Sequence, residues 1–300
     1  MISIIVLNYN DSNTVIQFLK TFTTYRVINK IIVVDNCSTD NSWSNFENNP
    51  FQNVIYLKNE NNNGYGAGNN VGIHYLLDNF PDTDKIIISN PDVYISELDL
   101  IKICDALDNG FAMSTGLIYN SNSDETNIEL ASNWCWDVPK YRDMIINNEL
   151  IIYKFLRKYT KLSIYKNLVD YKLEKYIPTG AVPGCFFAIK TNVMREINLF
   201  DERTFLFGEE TILGYKLFKI GKKVCVVNNT RILHKHSTSI NKSIKEDKKK
   251  NEFLLNSQLL YLREYLNCNS FQIFLFIIFF KIGILERYIV HSLRNIFKNF

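Results

Sequence analysis

Two adjacent glutamates, Glu209 and Glu210, follow an aromatic–glycine step and begin a segment whose apolar residues recur at helical spacing. The positive end of a helix keeps a carboxylate ionised, and an ionised carboxylate can take a proton from a hydroxyl group. The pair is therefore a candidate general base. Acidic residues also favour the first turn of a helix for structural reasons, and in isolation the pattern supports both interpretations equally.

A third carboxylate, Asp92, follows a short apolar run within the tripeptide Asn90-Pro91-Asp92. A carboxylate at this position, with proline fixing the backbone before it, can hold a divalent cation against a diphosphate. The same tripeptide is also typical of a turn. Farther along the chain, His234 could complete a metal or diphosphate site with Asp92, although a single histidine more often has a structural role.

Polar residues also follow the first two apolar runs of the chain. Asn8 and Tyr9 come after the first run, and Asp35, Asn36 and Ser38 come after the second. An aspartate at the end of a strand can accept a hydrogen bond from a nucleotide base, and the hydroxyl and backbone amides that follow suit a phosphate. The alternative is that these residues only cap the next helix.

A glycine-rich segment, residues 63–72, contains Gly64, Gly66 and Asn70. Glycine at this density lets a backbone approach a phosphate or a nucleotide closely. The segment is not a dinucleotide fingerprint, because its spacing is Gly-x-Gly-x-Gly, it follows the third apolar run, and no acidic residue ends a strand about 20 residues later. A nicotinamide-dependent enzyme is therefore disfavoured.

The elements that must position these residues alternate between short β-branched runs and segments with helical periodicity. The predicted strands are residues 2–7, 30–34, 54–57, 85–89, 111–118, 185–190 and 222–227, and the predicted helices are 13–24, 69–79, 149–159, 192–197, 210–220 and 253–265. This pattern predicts an α/β fold, a Rossmann-like and mainly parallel sheet flanked by helices. Ligands of such sheets bind beyond the carboxyl ends of the strands, where the polar residues above fall.

The composition, with 46% hydrophobic and 22% charged residues, is that of a folded protein and excludes disorder for most of the chain. The net charge of +3 is too small to indicate a nucleic acid partner. Six cysteines without a C-x-x-C pair indicate reduced thiols in the cytoplasm. The N-terminus lacks the features of a signal peptide, and the longest apolar stretch is too short to predict a spanning helix.

Three regions follow from these patterns. Residues 1–240 are predicted to form one domain, in which residues 121–178 are an irregular, variable segment that faces the substrate. Residues 241–300 are predicted to form a helical C-terminal extension with apolar residues at helical intervals. Residues 242–300 carry ten basic and five acidic side chains, so the overall charge hides a basic tail.

Taken in order, these motifs resemble the family 2 inverting glycosyltransferases of the GT-A fold. The resemblance is strongest to the bacterial branch of rhamnosyltransferases and other enzymes of capsule or O-antigen polysaccharide biosynthesis, and it covers roughly residues 1–239 apart from 121–178. It implies a nucleotide-sugar site in which Asn8, Tyr9 and Asp35 bind the base and ribose. The further residues of that site are Asn36, Ser38, Gly64, Gly66, Asn70 and Asn90.

The resemblance also implies a divalent cation, Mg²⁺ or Mn²⁺, on Asp92, which matches the last acid of the family's D-x-D triplet. Asn90 stands where many members have the first acid, which leaves a single carboxylate, and His234 matches a histidine that assists the diphosphate or metal. The pair Glu209-Glu210 stands where the family has Glu-Asp, whose second acid is the catalytic base. Glu210 is therefore the expected base, with Glu209 as the alternative.

The implied reaction moves a sugar, with inversion, from dTDP-rhamnose or a UDP-hexose to a hydroxyl of a growing, polyprenyl-linked bacterial surface polysaccharide. Two alternatives remain at this point. A sugar nucleotidyltransferase would share the α/β body but normally begins with a glycine-rich basic loop after the first strand, which this sequence lacks. A non-catalytic, membrane-attached assembly partner is compatible with the departures at Asn90 and Glu210.

The basic, apolar tail is typical of a helix that lies in a membrane interface. It indicates a peripheral protein on the inner face of the cell membrane that contacts an anionic surface. A helix that docks on the catalytic body, or on a second copy of the chain in a homodimer, fits the same pattern about equally well.

Overall fold

The computed structural model describes residues 1–121, 128–148, 165–235 and 247–298. Within these residues ten strands form one mixed sheet that is flanked by helices. The predicted α/β fold class is therefore confirmed. The helix predicted over residues 149–159 lies outside the described residues.

The first half of the sheet consists of parallel strands rich in β-branched residues, most of which are buried except in the edge strand, where they are only partly buried. The strands are β1 (Ile2–Asn8), β2 (Ile28–Asp35), β3 (Val54–Lys58) and β4 (Lys85–Ser89), and α1 (Ser12–Phe22), α2 (Ser42–Glu47) and α3 (Tyr65–Asn79) connect them in the spatial order β3-β2-β1-β4. Ile4, Ile31 and Ile87 have no exposed surface, as expected for strands covered on both faces. The register pairs Asn8 with Asp35, so the polar ends of β1 and β2 lie side by side.

The second half of the sheet is joined to β4 through an antiparallel strand. The elements in chain order are β5 (Val93–Ile95), α4 (Glu97–Asp108), β6 (Met113–Ser121), β7 (Ile128–Leu130), α5 (Tyr141–Asn148), β8 (Tyr176–Thr179), β9 (Phe186–Lys190), α6 (Thr191–Glu196), α7 (Glu209–Lys219) and β10 (Val224–Lys235). The spatial order continues β4-β9-β6-β10-β5, and β9 runs antiparallel to both β4 and β6. Because β9 is antiparallel, its first residues reach the edge where β1 and β4 end.

Two elements differ from their predicted limits in ways that matter for the site. α3 begins at Tyr65 rather than at residue 69, and Gly64, with φ +99°, precedes it. The glycine-rich segment is therefore mostly the start of a helix rather than a loop. β10 continues to Lys235 because a register shift between Val227 and Arg231 lets the same strand pair first with β8 and then with β5.

The C-terminal segment is helical and packs against helices that flank the sheet. It comprises α8 (Asp247–Leu260), a π-helical turn (Tyr261–Tyr265) and α9 (Ser270–Lys298). Its apolar residues form a second core with α5 and α7; the buried members are Met144, Ile212, Tyr261, Leu262, Ile273, Phe276 and Phe280. No helix among the described residues combines the length and the apolar character needed to cross a bilayer.

Candidate active site

A cleft of about 780 Å³ lies at the edge of the sheet where β1, β2 and β4 end. One side, which we call the loop wall, consists of the loops at this edge and the start of α7. The other side, which we call the helical wall, consists of α8, the π-helical turn, Tyr165, and residues that lie within α5 or shortly before it. The loop wall contributes Asn8, Tyr9, Asn36, Gly64, Tyr65, Asn90, Asp92, Gly184, Glu209, Glu210 and His234. The helical wall contributes Asn133, Trp136, Pro139, Met144, Asn147, Tyr165, Phe253, Leu254, Ser257, Gln258 and Tyr261.

The predicted nucleotide end of the loop wall is organised around Asp35, which is 1% exposed. Its Oδ1 accepts hydrogen bonds from Asn8 Nδ2, at 2.8 Å, and from the hydroxyl of Ser38. Its Oδ2 is buried and has no hydrogen-bond partner within the described part of the chain. Asp35 and Ser38 lie beneath the cleft surface that Asn8 and Tyr9 line. Leaving such an oxygen unpaired costs about 1–3 kcal/mol, which a ligand N–H would remove.

Asn36 connects this end of the cleft to the glycine-rich segment. Its Nδ2 donates to Asn62 Oδ1 at 2.9 Å and to Gly64 O at 3.2 Å. A side chain cannot be added at Gly64, because its Cβ would lie 2.2 Å from Phe205 O and its φ is positive. The backbone N–H of Tyr65 also donates to Phe205 O at 2.9 Å. These contacts tie the nucleotide end to the loop that precedes α7.

Asp92 and His234 meet at the centre of the cleft. His234 Nε2 lies 3.3 Å from Asp92 Oδ1. The pairing of Val93 with His234 between β5 and β10 places the two side chains together, although they are far apart in sequence. The loop is anchored by the backbone N–H of Asn90, which donates to Cys185 O at 2.8 Å, and Asn90 lines the cleft.

These residues fit a divalent cation as a partial ligand set. Asp92 Oδ2 is buried and has no hydrogen-bond partner among the described residues, and an imidazole stands beside the same carboxylate. Mn²⁺ and Mg²⁺ accept carboxylate oxygens, and Mn²⁺ also accepts imidazole nitrogen. Across the residues that the structure describes, no group of three or more His, Cys, Asp or Glu side chains is placed to bind a metal. Oxygens of a bound diphosphate or water would have to complete the coordination.

The glutamate pair occupies the first turn of α7, as predicted. Glu209 is 3% exposed, and its burial, together with the charge of Glu210, raises its pKa to about 8. Burial also raises the pKa of Glu210, while backbone N–H groups, including that of Gly184 at 3.1 Å from Oε1, lower it. Carboxylates whose pKa is moved towards neutrality are suited to exchange a proton with a hydroxyl group.

Two residues that were assigned to the nucleotide-sugar site, Gly66 and Asn70, do not line the cleft. Both lie within α3, and the Asn70 amide is occupied: its Nδ2 donates to Phe200 O and Glu202 Oε1, and its Oδ1 accepts from Phe200 N. A Cβ on Gly66 would lie 3.2 Å from Phe200 Cβ. These residues instead dock α3 on the loop that follows α6, so we remove them from the set of ligand contacts.

Sequence reasoning predicted that residues 121–178 face the substrate but identified no individual residue there. It missed the contribution of α8 and the π-helical turn to the helical wall, and two residues of the loop wall. Periodicity predicted a helix over residues 253–265 but carried no signal for what it would face. Gln258 is a cleft residue of this helix that the periodicity did not identify. Its Oε1 is buried without a hydrogen-bond partner in the described structure. Tyr65 lies in the glycine-rich segment 63–72 and Gly184 directly precedes the predicted strand 185–190, but their contacts depend on tertiary packing.

The sequence was compared with protein families and with characterised proteins. Residues 3–194 match the sequence model of the family described as glycosyl transferase family 2. The low-salt glycan biosynthesis hexosyltransferase Agl10 of Haloferax volcanii is 28% identical over 101 residues, which cover 33% of this chain and 30% of that relative. The chain therefore spans less than a third of the length of this curated relative.

The structure was also compared with solved structures. A crystal structure of GalNAc-T7 with UDP, GalNAc and Mn²⁺ superposes with a TM-score of 0.56 at 14% identity, covering 91% of this chain and 56% of that one. A crystal structure of residues 1–349 of S. aureus TarS gives a TM-score of 0.47 at 14% identity, covering 88% and 72%. At such low identity the first likeness shows the fold alone, which is of the GT-A type.

Proposed function

The chain belongs to glycosyl transferase family 2, and we propose that it moves a sugar, with inversion, from a nucleoside-diphosphate donor to a saccharide hydroxyl. The observation that supports this proposal is the set of side chains that line a single cleft. The Glu209–Glu210 pair with raised pKa values and the adjacent Asp92 and His234 line the same cavity as Asn8. A base, a diphosphate site and a nucleotide site are the three parts that direct displacement needs.

Glu210 is the proposed base. It is more accessible than Glu209, which is 3% exposed, and its carboxylate is held by the N–H of Gly184. The acceptor hydroxyl gives its proton to Glu210, and the oxygen forms a bond to the anomeric carbon of the donor. The bond from that carbon to the diphosphate oxygen breaks, and its electron pair leaves with the nucleoside diphosphate. Attack from the face opposite the leaving group inverts the configuration.

Asp92 and His234 are the proposed holders of Mg²⁺ or Mn²⁺. When bound, the cation supplies positive charge against the diphosphate. Asp92 Oδ2, which lacks a hydrogen-bond partner among the described residues, supports this assignment. Asn90, beside them on the cleft surface, is placed to contact the donor through its amide.

The proposed donors are dTDP-rhamnose and UDP-hexoses. Uracil and thymine present the same imide N–H, which would pair with Asp35 Oδ2, an oxygen that lies beneath the cleft surface and has no hydrogen-bond partner among the described residues. Asn36, Gly64 and Tyr9 would surround the rest of the nucleotide. The hexosyltransferase name of the Haloferax relative favours a hexose.

The proposed acceptor is a growing, polyprenyl-linked polysaccharide of the bacterial surface, and residues 121–178 form part of its site. In the described part of this segment, Trp136 and Tyr165 approach edge-on with ring centroids 6.2 Å apart. Aromatic rings suit the apolar faces of sugars. The buried Oε1 of Gln258, which has no hydrogen-bond partner among the described residues, offers a hydrogen-bond acceptor on the same helical wall.

We propose that α9 attaches the enzyme to the anionic inner face of the cell membrane from the cytoplasm. Its outer face carries an exposed apolar stripe at intervals of three or four residues: Phe271, Phe274, Ile278, Ile282, Leu285 and Ile289. The opposite face is buried in the second core. The excess of basic residues over residues 242–300, ten against five acidic, favours an anionic lipid surface as the partner.

The membrane proposal is tested with the double variant Phe274→Ser/Leu285→Ser. Each substitution removes apolar surface worth about 1.5–3 kcal/mol when fully buried, so binding to vesicles with anionic lipid should fall at least about tenfold. Leu98→Ser, an exposed leucine on α4, is the matched control and should bind as the parent does. Equal sedimentation of the parent and the double variant would contradict the proposal, and dimer dissociation in the double variant would assign the stripe to a homodimer.

The catalytic proposal is tested by thermal-shift titration with UDP, dTDP and GDP, with and without Mn²⁺, followed by transfer and hydrolysis assays with the matching sugar donors. UDP or dTDP should stabilise the protein by about 2.7 kcal/mol at a hundredfold excess over Kd, and more with Mn²⁺. At least one UDP- or dTDP-sugar should be consumed. A protein that no nucleoside diphosphate stabilises, and that consumes no sugar donor, would overturn the proposal.

A further inference from the structure

The backbone of Gly184 is held on both sides by side chains of the loop wall, through the N–H of the Pro183–Gly184 peptide and the carbonyl oxygen of the Gly184–Cys185 peptide. Its N–H donates to Glu210 Oε1 at 3.1 Å, and its carbonyl oxygen accepts a hydrogen bond from the hydroxyl of Tyr65 at 2.7 Å. The two side chains come from different helices, Tyr65 from the first turn of α3 and Glu210 from the first turn of α7. One backbone unit therefore links both helix starts at the centre of the cleft.

The space around Gly184 shows how closely the carboxylate approaches the backbone. A Cβ at Gly184 would lie 2.5 Å from Glu210 Oε1 and 3.1 Å from Glu210 Cγ. Any larger residue would push the carboxylate away from the N–H that it contacts. The next residue is anchored as well, because Cys185 O accepts a hydrogen bond from the backbone N–H of Asn90. The backbone at Gly184 and Cys185 is thus fixed by its contact with Asn90, and the N–H of Gly184 faces Glu210.

We propose that Tyr65 is a positioning residue, whose hydroxyl fixes the Gly184 carbonyl and thereby the backbone of that residue, so that the Gly184 N–H holds the carboxylate of Glu210 in place for the acceptor hydroxyl. The inference rests on the proposed role of Glu210 as base. Tyr65 itself is well held, since its ring packs edge-on against Phe200 at 6.0 Å between centroids and its backbone N–H is bound to Phe205 O.

The titratable groups around Glu210 are compatible with this role. Burial, with the charge of Glu210 as the next cause, raises the pKa of Tyr65 well above its usual value, so the phenol remains a hydrogen-bond donor at neutral pH. Burial raises the pKa of the Cys185 thiol, which stays neutral. Glu209 is the remaining acidic neighbour. Because the Gly184 N–H lowers the pKa of Glu210, loosening that peptide should raise it further.

The test compares Tyr65→Phe with Tyr56→Phe. Tyr56 is a matched control on β3: its hydroxyl also donates to a backbone carbonyl, Asn49 O at 2.8 Å, and it does not line the cleft. With glutamate carboxyls labelled with ¹³C and divalent metal removed, the Glu210 signal is assigned from its absence in Glu210→Gln. Tyr65→Phe should raise the pKa of Glu210 by roughly 0.5–1 pH unit, whereas Tyr56→Phe should leave it unchanged.

A second variant, Gly184→Ala, tests the same contact directly. Its Cβ meets the far end of a flexible side chain, so the fold should tolerate it while the carboxylate moves off the N–H and the pKa of Glu210 rises. If Tyr65→Phe does not fold, the pKa of Glu210 measured in Gly184→Ala tests the inference instead. An unchanged pKa of Glu210 in the folded variants would overturn the inference. A shifted pKa in a protein that transfers no sugar would leave the positioning role intact and remove the proposed function instead.

If sugar transfer is found, kinetics add a second readout. Tyr65→Phe should lower kcat about tenfold near neutral pH with little change in the KM for the donor, and its pH–rate profile should move to higher pH. Tyr56→Phe should match the parent in both constants. A loss confined to the donor KM would identify Tyr65 as a donor contact and contradict the positioning role.

Discussion

The two walls of the cleft are built in different ways. The loop wall and the residues just beneath it keep buried carboxylate oxygens without hydrogen-bond partners in the described structure: Asp35 Oδ2, Asp92 Oδ2 and Glu209 Oε1. On the helical wall, the hydroxyl of Ser257 donates to Leu206 O at 3.1 Å and that of Tyr261 donates to Pro139 O at 2.8 Å. The loop wall thus carries an electrostatic cost that the helical wall mostly lacks.

This difference indicates what each wall does. Unpaired buried carboxylates destabilise the free protein, and they are retained where a ligand or a proton will satisfy them. The helical wall is held by packing in the second core and by satisfied hydrogen bonds, so it defines the shape of the acceptor side. Ligands should therefore stabilise the loop wall, and substitutions in the two walls should have separable effects on activity and on stability.

A large loss of activity is expected from Asp92→Asn, which keeps the shape of the side chain but removes its charge. Sugar transfer should fall at least about a hundredfold, since the charge on the leaving diphosphate loses its main counterpart. The additional stabilisation by Mn²⁺ in the presence of a nucleoside diphosphate should disappear too. Asp82→Asn, an exposed aspartate in the loop before β4, is the control. If Asp92→Asn transferred sugar as fast as the parent, the charge of Asp92 would not be needed for transfer, and the proposed role of the loop wall would be contradicted.

A smaller effect is expected on stability from Glu209→Gln. The pKa of Glu209 is raised to about 8 in the folded protein, so the folded state keeps a proton that the unfolded state releases near pH 4.5. Stability of the parent should therefore fall as the pH rises from about 4.5 through 8, and Glu209→Gln should lack this component. Urea unfolding should show Glu209→Gln to be about 1–3 kcal/mol more stable relative to the parent at pH 8.5 than at pH 4.5.

The control for this pH dependence is Glu252→Gln, an exposed glutamate on α8. It should follow the parent at both pH values. If Glu209→Gln and Glu252→Gln show the same pH dependence as the parent, the loop wall carries no electrostatic cost at this position.

The smallest effect is expected in the helical wall, from Ser257→Ala. This substitution removes the hydrogen bond to Leu206 O and should cost about 1 kcal/mol of unfolding free energy, equally at pH 5 and pH 8.5. Nucleoside diphosphate affinity should not change. Asn256→Ala, at an exposed neighbouring position of α8, should be close to neutral. A pH-dependent loss at Ser257 would mean that the two walls are coupled electrostatically.

The sequence predicted the loop wall better than the helical wall, for a physical reason. Asn8 and Asp35 follow β-branched runs, and the parallel register brings such strand ends together without further information. Asp92 and His234 were linked as possible members of one metal or diphosphate site, first from their chemistry and then through the family resemblance, and the β5–β10 pairing explains their contact. Local sequence pattern was enough to predict these neighbours, because the residues that follow adjacent parallel strands lie at the same edge of the sheet.

The remaining residues depend on packing that has no local signature. Gly66 was expected to let the backbone approach the nucleotide, yet it lies in α3 and allows close contact with Phe200. Gln258 and Trp136 reach the cleft only because α8 and the segment before α5 dock there. The Tyr65–Gly184–Glu210 contacts join three distant stretches of chain through the backbone of one residue, which no spacing rule could indicate.

The most direct measurement of the central claim is single-turnover sugar transfer by Glu210→Gln, with donor affinity measured on the same protein. The variant should bind the nucleotide-sugar donor with parent-like affinity, while the transfer rate falls about 10²–10⁴-fold because the acceptor hydroxyl loses its base. Glu196→Gln, at an exposed ion pair with Lys222, should transfer as the parent does. A Glu210→Gln protein that transfers sugar at the parent rate would contradict the account.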